Sequence, residues 1–167
     1  MVAATRRAIS GILPAMANGN DLAATARQIV DSSLYMVIAT SDSSGQPWAS
    51  PVFFAHEDYR EFFWVSEPDA THSRNLRERR EVGGVIFDST VPIGTGQGVY
   101  ILGVGRELPG HETDEGIAIY SERAVARGGS AWSSEDVRPP SSDRLYQATV
   151  ESLSVLDEHD HRVELKL

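Results

Sequence analysis

The chain has 167 residues, a formal net charge of −9 and no cysteine. That length suffices for one domain with a real core. The acidic balance disfavours nucleic acid and anionic lipid as partners, and the missing thiols exclude disulfides, thiolate metal sites and cysteine nucleophiles. A hydrophobic fraction of 41% with no apolar run of membrane length predicts a soluble globular chain without a membrane partner. Arg6 and Arg7 are not followed by an apolar block, so no secretory signal is read, and the composition fits a cytoplasmic protein.

Residues 1–19 are Ala-rich, with Gly11, Pro14 and Gly19, and read as a loosely held N-terminal arm before one domain over 20–167. Asn20 and Asp21 are candidate caps of a helix running to about Ser33, with Leu22, Ala26, Ile29 and Val30 on one face. Tyr35–Thr40 is an apolar run suited to a buried strand. Ser41 to Gly45 is turn chemistry, so Tyr35–Thr40 and Trp48–Ala55 are expected to form a hairpin. Pro51 lacks the ladder N–H, which implies an edge, a bulge or a ligand-facing position. A turn over His56–Arg60 leads to a strand at Glu61–Ser66, and the three strands are expected to follow one another as a meander.

Pro68 and Asp69 open a helix through about Arg80, with Asp69 as candidate cap. Strands follow at Val82–Phe87 and Val99–Leu108, separated by a loop rich in Gly and Pro. A helix carrying Ile117, Tyr120 and Val125 precedes a polar, mobile loop from Gly128 to Asp143. Strands Leu145–Leu156 and Val163–Leu167 close the chain. Six or seven strands in consecutive hairpins, with two or three helices, predict a mainly β fold, an antiparallel sheet closed as a barrel.

The stretch from Gly45 to Leu76 concentrates the chemistry. Ser66, Thr71 and Ser73 offer hydroxyl donors between a strand end and a helix start, where exposed N–H groups and the helix dipole favour an anion. His72 can donate one N–H or carry a charge, and Arg74 or Arg77 can supply a fixed one. The alternative is an ordinary capped helix, with Arg74, Arg77, Arg79 and Arg80 as a solvated face balanced by Glu78 and Glu81. Trp48, Phe53, Phe54, Phe62, Phe63 and Trp64 are mostly core, with one or two able to shape a pocket for a planar ligand, and Trp132 in the polar loop is either packing or a lid over a ligand. Gly94–Gly98 lacks a phosphate-loop ending. Asp157 to His161 reads as a solvated turn, so no metal site is assigned, and no Ser-His-Asp arrangement or nucleophile elbow stands out.

In order along the chain, Ala39-Thr40, Ser50-Pro51-Val52-Phe53-Phe54, Phe63-Trp64-Val65-Ser66, His72-Ser73-Arg74-Asn75-Leu76, Glu81–Ile86 and Gly98–Glu107 resemble the pyridoxamine 5'-phosphate oxidase-like, flavin-binding split-barrel proteins. The resemblance covers roughly residues 20–167. It implies a split-barrel homodimer with FMN at the subunit interface and a small-molecule substrate. It also implies that Ser50, Pro51, Val52, Val65, Ser66, Thr71, His72, Ser73 and Asn75 hold the cofactor, with the flavin ring against the second strand.

The chain departs from the oxidase pattern at two places that carry cations there. Trp48-Ala49-Ser50 replaces a basic strand start, and Thr71-His72 replaces a basic pair before the helix. The oxidase's C-terminal Trp and Arg-x-His signature is also absent from Leu145–Leu167. An authentic pyridoxamine phosphate oxidase is therefore not expected. The expectation is an FMN-dependent oxidoreductase with no assigned acid or base, its alternatives a non-catalytic flavin, F420 or haem binder and a cofactor-free dimeric module.

Overall fold

The computed structural model describes residues 19–157, 159 and 161–166. The expected N-terminal arm lies outside these residues except for Gly19, which begins helix α1 (Gly19–Ser32). Asn20 and Asp21 therefore stand inside the helix rather than capping it. Leu22, Ala26 and Val30 are buried, as the helical spacing requires. After α1 come β1 (Tyr35–Ser41), β2 (Pro47–Phe53), β3 (Ala55–Glu57), β4 (Glu61–Ser66) and helix α2 (Thr71–Glu78). The chain continues through β5 (Glu81–Phe87), β6 (Gly98–Glu107), helix α3 (Thr113–Ala126), β7 (Arg144–Leu156) and β8 (Arg162–Glu164).

The strands form one eight-stranded sheet in the order β2-β1-β5-β6-β7-β4-β3, with β8 on β7. All pairings are antiparallel. The sheet curls into a half-barrel. The β1–β2 hairpin forms in the expected place, with Val37 opposite Pro51. Pro51 lies on an end strand, where its missing N–H costs no ladder bond.

The expected meander is wrong beyond that hairpin. β4 pairs with β3 and β7, not with β2. The apolar run from Trp48 to Ala55 is broken at Phe54, and the chain there passes from one end of the sheet order to the other. Covalent continuity at Phe54 thus brings the two end strands together. Asp58 and Tyr59, both with positive φ (48° and 57°), make the tight β3–β4 turn.

Side chains alternate between two cores. Phe62 and Trp64 of β4 point into the barrel with Ile38, Val52, Ile86, Val99 and Tyr146. Phe63 points outward and is covered by α3 with Ile117, Tyr120, Val137 and Leu145. Helix α3 can lie this close because residue 116 is glycine: a Cβ there would come within 2.8 Å of the Phe63 ring. On α3, Ile117, Tyr120 and Ala124 are buried, whereas Val125 is half exposed. Gly103 sits where the β6–β7 register shifts, and a Cβ on it would fall 2.2 Å from the Thr149 carbonyl oxygen.

The loop expected to be mobile is tied down. Ser133 and Asp136 cap a short 3-10 turn, Ser134–Val137, and Val137 is buried. Arg138 donates to Thr113 Oγ1 at 2.9 Å and to Asp114 at 2.6 Å, and Ser134 donates to Asp114. At the opposite end of α3, Arg123 donates to the carbonyls of Val30, Asp31 and Ser33, satisfying the C-terminus of α1.

Candidate functional site

The site begins with a turn. The Asp42 carboxylate accepts from Ser44 N–H at 2.9 Å, the Ser44 hydroxyl at 2.6 Å and Gln46 N–H at 3.0 Å, while Gly45 takes φ 87°. This turn sets the register that places Ser50 opposite Ile38, facing into the barrel. On β4, two residues beyond Trp64 on the same face, Ser66 ends the strand. The chain then crosses to α2, whose cap is Ala70 rather than the expected Asp69, with no side-chain bond to the helix start. The helix stops at Glu78, and Glu78 Oε2 accepts from Ser43 N–H at 3.1 Å.

His72, on the first turn of α2, joins the two strands. Its Nδ1 lies 3.1 Å from Ser50 Oγ and its Nε2 lies 2.9 Å from Ser66 Oγ. Trp48 Nε1–H donates to Ser50 Oγ at 2.9 Å. Residues from β2, β4 and α2 thus share one hydrogen-bonded chain at the barrel mouth. His72 is only 8% exposed. Burial lowers its pKa, and no charged group is among the causes, so the imidazole is neutral at pH 7.

The nine residues assigned from the sequence do not form one surface. Ser50, Ser66 and His72 meet. Thr71 stands at the rim, where Arg74 curls back to donate to Thr71 Oγ1 at 3.3 Å and to the Asp69 carbonyl. Pro51 faces outward, one residue from inward-facing Ser50, and Val65 packs against the α3 cluster. Val52 is core. Asn75 is spent on packing: its amide donates to Thr40 Oγ1 at 3.0 Å, both groups buried. Ser73 is fully buried, and its hydroxyl has no well-formed hydrogen bond. It does approach the Tyr146 hydroxyl closely enough to pull that pKa down, against burial that pushes it up to about 12.

Two further residues take part. Trp48, among the six aromatics of which one or two are expected to shape a pocket, is half exposed and donates to Ser50. The shared face of residues 48 and 50 on a strand was the available signal. Thr40, expected at the end of a buried strand and within the Ala39-Thr40 motif, is the acceptor for the Asn75 amide.

The arrangement fits a phosphate-sized anion in donor chemistry. The half-buried Ser66 and Thr71 hydroxyls, the first N–H groups of α2 and the exposed Arg74 guanidinium gather at one helix start. It is not a hydrolytic triad, because the second nitrogen of His72 meets a serine and no carboxylate orients the ring. Among the described residues, no group of His, Asp and Glu stands together to hold a metal. Asp157 instead accepts from the backbone N–H of His159 and His161, at 2.8 and 2.9 Å.

Two further surfaces stand out. Tyr35, Phe53, Tyr120 and Trp132 meet edge to face, at centroid separations of 6.3, 5.3 and 5.8 Å, around a cleft of about 340 Å³ with Arg127 on its wall. The outer face of the sheet carries two uncharged rows: Pro51, Val37, Val85 and Tyr100, then Ala49, Ala39, Gly83 and Leu102. Leu102 is 57% exposed.

The family model described as pyridoxamine 5'-phosphate oxidase matches residues 22–157. Among curated proteins, none matches the sequence. Solved structures share the fold. A haem-binding protein from Mycobacterium smegmatis superposes with a TM-score of 0.66 at 18% identity, over 84% of this chain and 55% of that one. The haem storage protein HutZ from Vibrio cholerae gives 0.62 at 17%, over 81% and 95%. An F420 reductase gives 0.57 at 16%, over 77% and 95%. No helix among the described residues is long and apolar enough to cross a membrane.

Proposed function

Given that the chain belongs to the pyridoxamine 5'-phosphate oxidase family, whose model spans residues 22–157, we propose that it is an FMN-binding oxidoreductase working as a homodimer on a small organic substrate. The observation that carries this reading is the convergence of Ser50, Ser66 and His72 from separate elements at the start of α2. The Ser66 and Thr71 hydroxyls, the α2 N–H groups and Arg74 would hold the phosphate. The flavin, when bound, supplies the hydride or electron transfer.

The chain's own contribution is orientation and exclusion. Asn75 fixes α2 to β1 through Thr40, and Glu78 fixes its other end to the β1–β2 turn, so the donors of the helix start are pre-placed. The aromatic cleft beside Phe53 suits a flat substrate, with Arg127 able to meet an anionic substituent. The two uncharged rows on the outer sheet face support a second copy as their cover, since an apolar face of this kind favours association over solvent.

One alternative is a non-catalytic binder of flavin, F420 or haem, since Ser50, His72 and Ser66 place no charged acid or base at the site. Titrating the purified protein with FMN, F420 and haem, followed by absorption and flavin fluorescence, separates these. Saturable FMN binding with turnover from a nicotinamide donor supports the oxidoreductase. Binding of haem or F420 instead supports the alternative. A protein that binds none of the three would leave only a cofactor-free dimeric module.

A further inference from the structure

We propose that the Ser50–His72–Ser66 chain couples anion binding at the start of α2 to the uptake of one proton by His72, so that the protein supplies a transient positive charge behind the ligand. This rests on the proposed anion site and adds its regulation. Ser50 Oγ accepts from Trp48 Nε1–H and keeps both a lone pair and a hydrogen for His72 Nδ1. In one neutral tautomer Ser50 donates to Nδ1 and Nε2–H donates to Ser66; the other tautomer reverses both bonds, and protonation of either ends in the same doubly donating imidazolium.

Protonation at Nδ1 keeps the chain intact. Ser50 then accepts from both Trp48 and His72 and turns its hydrogen away, and Ser66 still accepts from Nε2. A proton can thus be added from solvent, and given back on ligand release, without breaking a heavy-atom contact.

What opposes the proton is burial alone. The charges on the elements around His72 are turned to other partners or stand apart from it. β1 and β2 hold no ionised side chain. On β4 the one such residue, Glu61, stands at the opposite end of the strand from Ser66. On β7, Arg144 stands opposite Ser66 but is held by Glu107 and the carbonyls of Ser141 and Asp143. On β6, Arg106 pairs with Glu112 at 2.7 Å, and Glu107 lies by Arg144 and Tyr146. On α2, Arg74 turns to Thr71, Arg77 stands a turn further on, and Glu78 is engaged by Ser43. In the preceding linker Glu67 and Asp69 are exposed. At the helix start Arg74 meets a carbonyl and a hydroxyl rather than a carboxylate; an anion placed there offsets that cation and favours the imidazolium.

The test is the His72 imidazole titration followed by NMR, without ligand, with saturating FMN, and with inorganic sulfate, which does not titrate in this range. FMN affinity is measured alongside at pH 6 and pH 8 in wild type and in His72→Gln. Each unit by which the ligand raises the His72 pKa corresponds to about a tenfold gain in affinity below it. The expected result is an upward shift of the His72 titration with both anions, and an acid-side gain in wild type that His72→Gln lacks. FMN binding with an unmoved His72 titration would overturn the coupling while the flavin reading stands. A shift with sulfate but no FMN binding would keep the coupling and remove the flavin. No shift with either, and no FMN binding, would remove both. The NMR readout needs no variant, so misfolding of His72→Gln leaves the proposal open to refutation.

Discussion

The ring of Phe63 occupies the space that a side chain at Gly116 would need: a Cβ at 116 would lie 2.8 Å from Cε1 and 2.9 Å from Cδ1. Phe63 is buried and belongs to the cluster that α3 covers. Gly116→Ala gains about 1 kcal/mol of helix propensity, but forcing a methyl into a packed contact costs about 1–3 kcal/mol. A net loss of stability is expected by denaturant unfolding. The loss should shrink in a Phe63→Leu background, because the opposing ring is then gone.

Thr40→Val should cost about 1–3 kcal/mol, since it leaves the buried Asn75 amide without its acceptor. Asn75→Leu in the same background should recover part of that loss by removing the orphaned donor. Thermal unfolding of the single and double variants measures the difference, and equal loss in both would show that the bond matters little.

His72 and His56 both have lowered pKa values in the folded protein. For His72 the cause is burial; for His56 it is burial and then Arg123, opposed by the hydrogen bond to Asp31 at 3.1 Å. In the unfolded chain each titrates near 6.5, so below that pH the unfolded state binds more protons. Stability is therefore expected to fall as pH drops from about 6.5 toward the folded values, and to be insensitive to these groups above that window. Denaturation midpoints at pH 7.5 and 5.5 check the sign. His56→Gln should flatten the slope.

Arg74 is exposed and, among the described residues, donates to Thr71 Oγ1 and the Asp69 carbonyl. Arg74→Glu should weaken FMN binding by about tenfold or more, since one unit charge reversed beside an anion exceeds 1.4 kcal/mol at partly screened range. The thermal midpoint without ligand should be unmoved. Fluorescence titration and calorimetry report the two separately.

Leu102 stands on the uncharged outer rows of the sheet. Leu102→Glu would add a carboxylate beside Glu81 and Glu151, which line the same hollow, and a two-fold contact would carry it twice. Light scattering should show a wild-type dimer and a variant whose dissociation constant is raised about tenfold or more. A wild-type monomer would remove the dimer reading altogether.

Much of the fold was written locally. The 3.6-residue spacing of Leu22, Ala26, Ile29 and Val30, the Asp42–Gly45 turn and the apolar runs from Tyr35 to Leu156 gave the elements nearly in place. The ordered motifs also pointed to the family whose model covers residues 22–157. What a strand pattern lacks is its partner's identity. Alternation says which side chains face one way, but Phe62, Phe63 and Trp64 are all buried because α3 covers the outer face of β4, which only packing decides. The same holds for β4 lying beside β7 rather than β2.

The site divides along the same line. The sequence by itself determined which donors exist between Gly45 and Leu76, and that hydroxyls and one histidine stand at positions the oxidase pattern fills with cations. Only the tertiary structure decided their use. Curling the sheet brings Ser50 and Ser66 to opposite sides of His72, turns Pro51 and Val65 away, and commits Asn75 to Thr40. The reason is that burial makes each polar group find a partner, and the nearest partners of a residue at the barrel mouth come from strands far apart in the chain.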